Sequence, residues 1–225
     1  MIVDRNHVAQ TGDIPAGFRL IQDSIPLKIN KVESVISEAA GQKTPVLRIT
    51  GIFQRADKKN ANGRIYPREI LRDAVESIQE DLKARRVMGE LDHPADAKIH
   101  MDRVAKLITN LWMEGDVVYG QAEVLSRMPC GAMLKALFEH KVEVGVSSRG
   151  IGDMKVEEDE NGDECYRVQQ GYRFVTFDSV AEPSVPGGQL MVMESRQRVR
   201  QAADDARRQH EKVLVEEVRK HFQLV

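Results

Sequence analysis

The chain has 225 residues, with 33 Lys and Arg against 35 Asp and Glu, a formal charge of -2, 41% hydrophobic residues and 5% aromatic residues. Near-neutral charge and sparse aromatics argue against a dedicated nucleic-acid binder, which needs a basic surface. No apolar run reaches the roughly 18 residues of a spanning helix, and the length suits one globular domain with tails.

The opening MIVDRNHVAQTGD holds acids and no apolar core, so it is not expected to be a signal peptide. Residues 1–44 read as a loosely attached N-terminal segment, with an apolar island over Ile14–Ile21 and a helix-like stretch over Val32–Ala40. From Pro45 the pattern tightens. VLRITGIF is a strand candidate rich in β-branched residues. NANGRIYP supplies an Asn-Gly turn and a proline suited to the first position of a helix. PREILRDAVESIQEDLKAR then spaces Ile70, Leu71, Ala74, Val75, Ile78 and Leu82 along one helical face.

Two β-rich runs flank Glu114-Gly115-Asp116, a hairpin signal. A short helix is expected from Pro129, burying Met133, Leu134, Leu137 and Phe138. VGVSSRGIG reads as a strand leading into a glycine turn, MKVEEDENGDECYRV as a hairpin with an acidic tip, and YRFVTFDSVAEPS as a further strand. Residues 45–194 thus form the expected domain. Residues 195–225 form a charged tail, helical or partly disordered. Several strands with two main helices predict an α+β fold built on a closed or nearly closed, mainly antiparallel β-barrel.

Metal and phosphate chemistry find little support. No H-E-x-x-H occurs, and Cys130 and Cys165 stand far apart with no ligands beside them. As two isolated cysteines they suit a reducing compartment. The acidic tip has Val168 where a calcium loop needs a bidentate carboxylate, so it reads as a solvated hairpin end. Neither phosphate-binding glycine motif is present, and no cofactor is expected.

Three segments remain: GELDHP, VGVSSRG and TFDSVAEPS. His93 lies between Asp92 and Pro94, where the backbone is biased toward extended geometry. Ser147 and Ser148 precede Arg149 and Gly150. A serine hydroxyl becomes nucleophilic only beside a base, and the oxyanion it creates needs N–H donors. Asp178 interrupts the apolar run FVTFDSV, so if buried it requires an imidazole or an arginine as partner. A structural histidine and serines doing turn chemistry fit the same residues. The order His, Ser, Asp differs from that of chymotrypsin, subtilisin and the α/β-hydrolases.

TGIF, NGRIYP with its helix, GELDHP, NLWMEGDVVYGQAEV, GVSSRGIG and FDSVAEPS, in this order over about residues 46–194, together resemble the prohead core proteases of myovirus-type tailed bacteriophages. These are similar in turn, at a distance, to herpesvirus assemblin, with a β-barrel among helices. The resemblance implies a serine endopeptidase of capsid maturation, with His93 as base, Ser147 as nucleophile and Asp178 as third member. Asp92 competes with Asp178 for that role. Ser148 is the neighbour that could be mistaken for the nucleophile. Backbone N–H groups over Ser148–Gly150 are candidate oxyanion donors, and Arg149 either assists them or braces its surroundings through a carboxylate. The resemblance also implies cleavage after glutamate with an aliphatic residue two places earlier. Glu38, Glu194 and Glu216 meet that pattern outside the expected domain.

The substrates so implied are prohead scaffold or core proteins, the major capsid protein and other copies of the chain, inside the prohead in the host cytoplasm, with no direct nucleic acid and no membrane span. The alternative is a non-catalytic core or scaffolding protein, whose tail carries Val213, Leu214, Val218 and Phe222 at helical intervals for contact with other subunits.

Overall fold

The computed structural model describes residues 5–26, 28–37, 44–159 and 161–181, which form eleven strands and four helices. Helix α1 (Arg5–Thr11) and strands β1 (Arg19–Pro26) and β2 (Lys28–Ser37) precede β3 (Thr44–Arg55) and the two-residue β4 (Arg64–Ile65). Then come α2 (Arg68–Ser77), α3 (Gln79–Lys83), β5 (Met88–Glu90), β6 (Val104–Glu114) and β7 (Val117–Val124). The described chain ends with α4 (Pro129–Glu139), β8 (Gly145–Gly152), β9 (Met154–Glu158), β10 (Glu164–Val168) and β11 (Arg173–Val180).

The strands form three sheets: an antiparallel β2-β3-β7-β6-β5, an antiparallel β1-β8-β11, and a small β4-β10-β9 sheet. The core lies between the two larger sheets. Phe53 of β3 meets Phe177 of β11 edge to face, with centroids 5.2 Å apart. Gly120 makes room beneath Phe53, since a Cβ there would stand 2.5 Å from the ring. Ala74, Ile78 and Leu82 of the helical segment join Ile108, Leu111 and Val146 in the same cluster.

The α+β expectation holds, but the barrel does not close. Strand β5 has only three residues, and its continuation meets β11 through a single bridge, Leu91 to Ser179. Consecutive β1 and β2 enter different sheets, each as an edge strand, so the sheets remain open.

Residues 5–26 are not loosely attached. Strand β1 pairs with β8 along its whole length, Arg19 with Gly152 through Pro26 with Gly145. Val8 of α1 is fully buried against Ala97, Ile151 and Val175. The helix-like stretch from Val32 is strand as far as Ser37, because ladder pairing with β3 overrides local helical spacing. One expected helix becomes two, α2 and α3, broken at Ile78. Helix α4 starts at Pro129 and buries Leu134, with Leu137 and Phe138 half-buried, but Met133 is 51% exposed.

The glycine turn expected after Ser148 is absent. Strand β8 continues to Gly152 with all eight residues buried. Gly150 is needed there because a Cβ would lie 2.4 Å from the Tyr172 hydroxyl. Strand β11 carries a bulge: Phe174 opposes Gly150 and Thr176 opposes Arg149, leaving Val175 between them.

Candidate active site

Strand register brings the serine and the carboxylate together. In the ladder between β8 and β11, Asp178 stands directly opposite Ser147, so both side chains leave the same face of the sheet. Arg149, two residues along β8, shares that face. His93 arrives from the loop after β5, anchored where the Asp92 N–H donates to the Ser179 carbonyl at 2.6 Å. Its Nε2 lies 3.3 Å from Ser147 Oγ. Its Nδ1 lies 3.7 Å from Asp178 Oδ2, beyond a normal hydrogen bond but aimed at it.

Asp92 does not occupy that position. It has a positive φ of 61°, and its side chain is 76% exposed and directed to Arg103 at 3.8 Å. Ser148 points to the opposite face, where its hydroxyl accepts from Gln54 at 3.2 Å. Of the two adjacent serines, only Ser147 meets the histidine. The amides over Ser148–Gly150 lie in a strand flanked on both sides by β1 and β11, so no free turn N–H groups face Ser147 from that segment.

Arg149 is the hub behind the acid. Fully buried, it donates to Asp178 Oδ1 at 3.1 Å and sits 3.2 Å from Glu90 Oε1. Its other terminal nitrogen holds the carbonyls of Asp96 and Lys98, at 3.2 and 2.7 Å. One guanidinium therefore ties the carboxylate of β11 to the loop that carries His93. The brace through a carboxylate is the role its geometry supports. Glu90 is held in turn by the His100 N–H at 2.6 Å, while its own N–H donates to Asp178 Oδ1 at 3.0 Å.

Sequence reasoning missed Glu90 and Lys106. Lys106 is completely buried and donates to Ser179 Oγ at 2.8 Å, next to Asp178 in the chain. Lys106, within VAKLI, carries the signal that exposed Asp178, a lone charge in an apolar strand, whereas Glu90 ends the three-residue β5 and carries no such signal.

The electrostatics suit proton transfer from the serine. Burial first, and then the Arg149 charge, hold the His93 imidazole below its ordinary value of 6.5, so the neutral form prevails at pH 7. Burial pushes the Asp178 carboxyl up to about 6, against the opposing pull of Arg149. Burial also brings the Lys106 ammonium down to about 8. His93 Nδ1 and Glu90 Oε2 carry no hydrogen bond, while Arg149 Nε and Asp178 Oδ2, 3.0 Å apart, meet as an ion pair without hydrogen-bond geometry. Among the described residues no cluster of His, Cys, Asp or Glu could hold a metal ion, and no helix is long and apolar enough to cross a membrane.

A serine hydroxyl beside a neutral imidazole, with a buried carboxylate behind the ring, is the arrangement of a serine hydrolase. Residues 3–197 match the family described as prohead core protein serine protease, and the chain belongs to that family. It is a serine protease of phage capsid maturation. The prohead core protein protease of Enterobacteria phage T4 is 36% identical over 171 residues, covering 74% of this chain and 76% of that protein. The solved capsid assembly protease of bacteriophage T4 covers 72% of this chain and 98% of its own, with a TM-score of 0.64 and 28% identity.

Proposed function

We propose that Ser147 is the nucleophile, His93 the general base and Asp178 the group that orients the imidazole and stabilises its charged form. The observation that carries this is the Ser147–His93 contact of 3.3 Å with Asp178 registered opposite the serine. His93 takes the hydroxyl proton as Ser147 attacks the scissile carbonyl, then returns it to the leaving amine. A slight closure of the 3.7 Å gap brings Nδ1–H onto Asp178 as the ring becomes positive. Ser147 itself has no solvent exposure, which fits a precursor whose site opens before it cuts.

The substrates are the scaffold or core proteins and the major capsid protein within the prohead, together with other copies of the chain. Cleavage follows glutamate with an aliphatic residue two places before it. Glu38, Glu194 and Glu216 are the self-cleavage sites; all three lie outside the described residues. Internal matches at Glu80 and Glu139 are protected by their helices: Ile78 has no solvent exposure, and Phe138 packs on the core.

The integration of β1 changes the product expected from a cut at Glu38. Both β1 and β2 are held in ladders, so a cut there gives a nicked protein whose N-terminal piece stays paired.

Incubating wild type beside Ser147→Ala and identifying fragments by mass spectrometry tests this reading. New termini at Glu38 and Glu194 should require the active serine. Cuts chiefly after Lys or Arg would overturn the specificity. A protein that supports assembly yet never labels with a serine-reactive phosphonate would return the scaffold alternative.

A further inference from the structure

The motif NANGRIYP was read above only as a turn before a helix, yet its side chains converge on one buried carboxylate. Asp23 of β1 has almost no solvent exposure. Its Oδ1 accepts from Asn62 Nδ2 and Arg64 Nη1, each at 2.8 Å, and its Oδ2 accepts from the Tyr66 hydroxyl. Arg64 also donates to the Gln22 carbonyl at 2.8 Å. Asp23 opposes Ser148, so this cluster lies on the face of β8 away from Ser147. It locks the position and register of β1 from behind.

With β1 locked at Asp23, the residue before it reaches the site face. Gln22 stands opposite Arg149, and its Nε2 donates to the Pro94 carbonyl at 2.7 Å. Pro94 directly follows His93. Other ties on this loop come from Arg149 at Asp96 and Lys98, from the Ser179 carbonyl and Arg103 at Asp92, from the Ala9 carbonyl, which accepts the Ile99 N–H at 2.8 Å, and from Glu90 at the His100 N–H. None of these holds the loop as near to the C-terminal side of His93 as Gln22 does.

We infer that Gln22 is a positioning residue for His93: its amide clamps the Pro94 carbonyl and holds the imidazole over Ser147, while the Asn62–Arg64–Tyr66 cluster fixes Gln22 through Asp23. The N-terminal strand is then part of the catalytic framework. The inference rests on the proposed role of His93 only where it predicts rate.

The experiment compares wild type with Gln22→Met, which keeps the length and removes the donor. Gln22→Asn retains the amide but is one methylene too short, and serves if the methionine variant does not fold. Two readouts are taken on full-length protein: kcat and KM on a peptide substrate, and the His93 midpoint followed by NMR in a Ser147→Ala background. The charged groups around the ring are Asp178, Glu90, Asp92, Arg149 and Arg103.

Releasing the clamp lets the loop move outward, away from burial and from Arg149, so the His93 midpoint should rise toward its ordinary value. kcat should fall by about ten- to a hundredfold with KM little changed, the scale expected when a reacting group is misplaced by about an ångström. An unchanged midpoint in folded Gln22→Met overturns the inference, as does a loss of rate matched by the loss of folded protein. A raised midpoint with an active His93→Ala would sustain the clamp and remove the role proposed for His93.

Discussion

Two buried carboxylate centres lie back to back across β8. Asp23 is satisfied on both oxygens by Asn62, Arg64 and Tyr66. Asp178 is tied to the Glu90 amide and to Arg149 through Oδ1, and its Oδ2 lies 3.0 Å from Arg149 Nε and 3.7 Å from a His93 Nδ1 that carries no hydrogen bond. A fully satisfied buried network rigidifies a fold, whereas a buried donor without a partner costs free energy until one reaches it. The first centre fixes where a strand lies. In the proposed mechanism the second centre closes on the imidazole as the ring gains its charge.

The comparison breaks most visibly at the serines. Ser147→Ala should eliminate turnover to a residual about 10³–10⁴-fold above the water reaction, with the melting temperature nearly unchanged. Ser148→Ala, on the Asp23 side, should retain most activity. A dead Ser148→Ala beside an active Ser147→Ala would exchange their roles.

Next in size is Asp178→Asn, whose amide can favour the wrong imidazole tautomer and should lower kcat by about 10⁴-fold. Asp92→Asn should leave kcat close to wild type, because that side chain faces solvent and Arg103. A severe loss from Asp92→Asn with little from Asp178→Asn would move the third role to Asp92.

The opposite centre predicts the opposite phenotype. Arg64→Ala strips the cation from a carboxylate with no solvent exposure, so chemical denaturation should show a loss of about 3–5 kcal/mol. If Arg64→Ala unfolds at wild-type denaturant concentrations, Asp23 is not the anchor described.

The mildest perturbation is pH. Protonating His93 removes the base, so kcat/KM should fall as pH drops through a midpoint below 6.5. Asp178, raised to about 6, gains its proton in the same window, so the acid limb belongs to the pair and should be steeper than one proton allows. A single-proton limb centred above 6.5 would contradict the burial of the ring.

Much of the site was legible because its residues break local patterns. A carboxylate inside FVTFDSV must have a partner, and both partners named for it, imidazole and arginine, are present. The hairpin at Gly115 and the helix start near Pro67 were also legible, since turn and cap chemistry is local. What escaped depends on distant chain. The residues from Val32 to Ser37 of β2 are helical in spacing and become strand only because β3 offers a ladder. SSRGIG has the glycines of a turn, yet it is a central strand whose Gly150 accommodates Tyr172. Barrel closure failed as an expectation because nothing in the strand pattern reveals that β5 stops after three residues. Gln22 and Asn62 escaped because a side chain's reach to a backbone carbonyl or to a buried acid leaves no periodic trace.

The bulge at Val175 decides which side chain the serine meets. If β11 ran straight from Phe174 opposite Gly150, the count would put Thr176 against Ser148 and Phe177 against Ser147. The phenyl ring would then share the serine's face, and Asp178 would turn toward the core. One residue of slack shifts the phase of the strand. Phe174 and Phe177 both reach the core, with centroids 4.7 Å apart, while Thr176 and Asp178 face the other way. Arg5 of α1 occupies the carbonyl that the slack residue leaves outside the ladder, donating to Val175 at 2.9 Å. Deleting Val175 would preserve the pairing of Asp178 with Ser147, whereas an insertion between Thr176 and Phe177 would bring an aromatic ring to the serine.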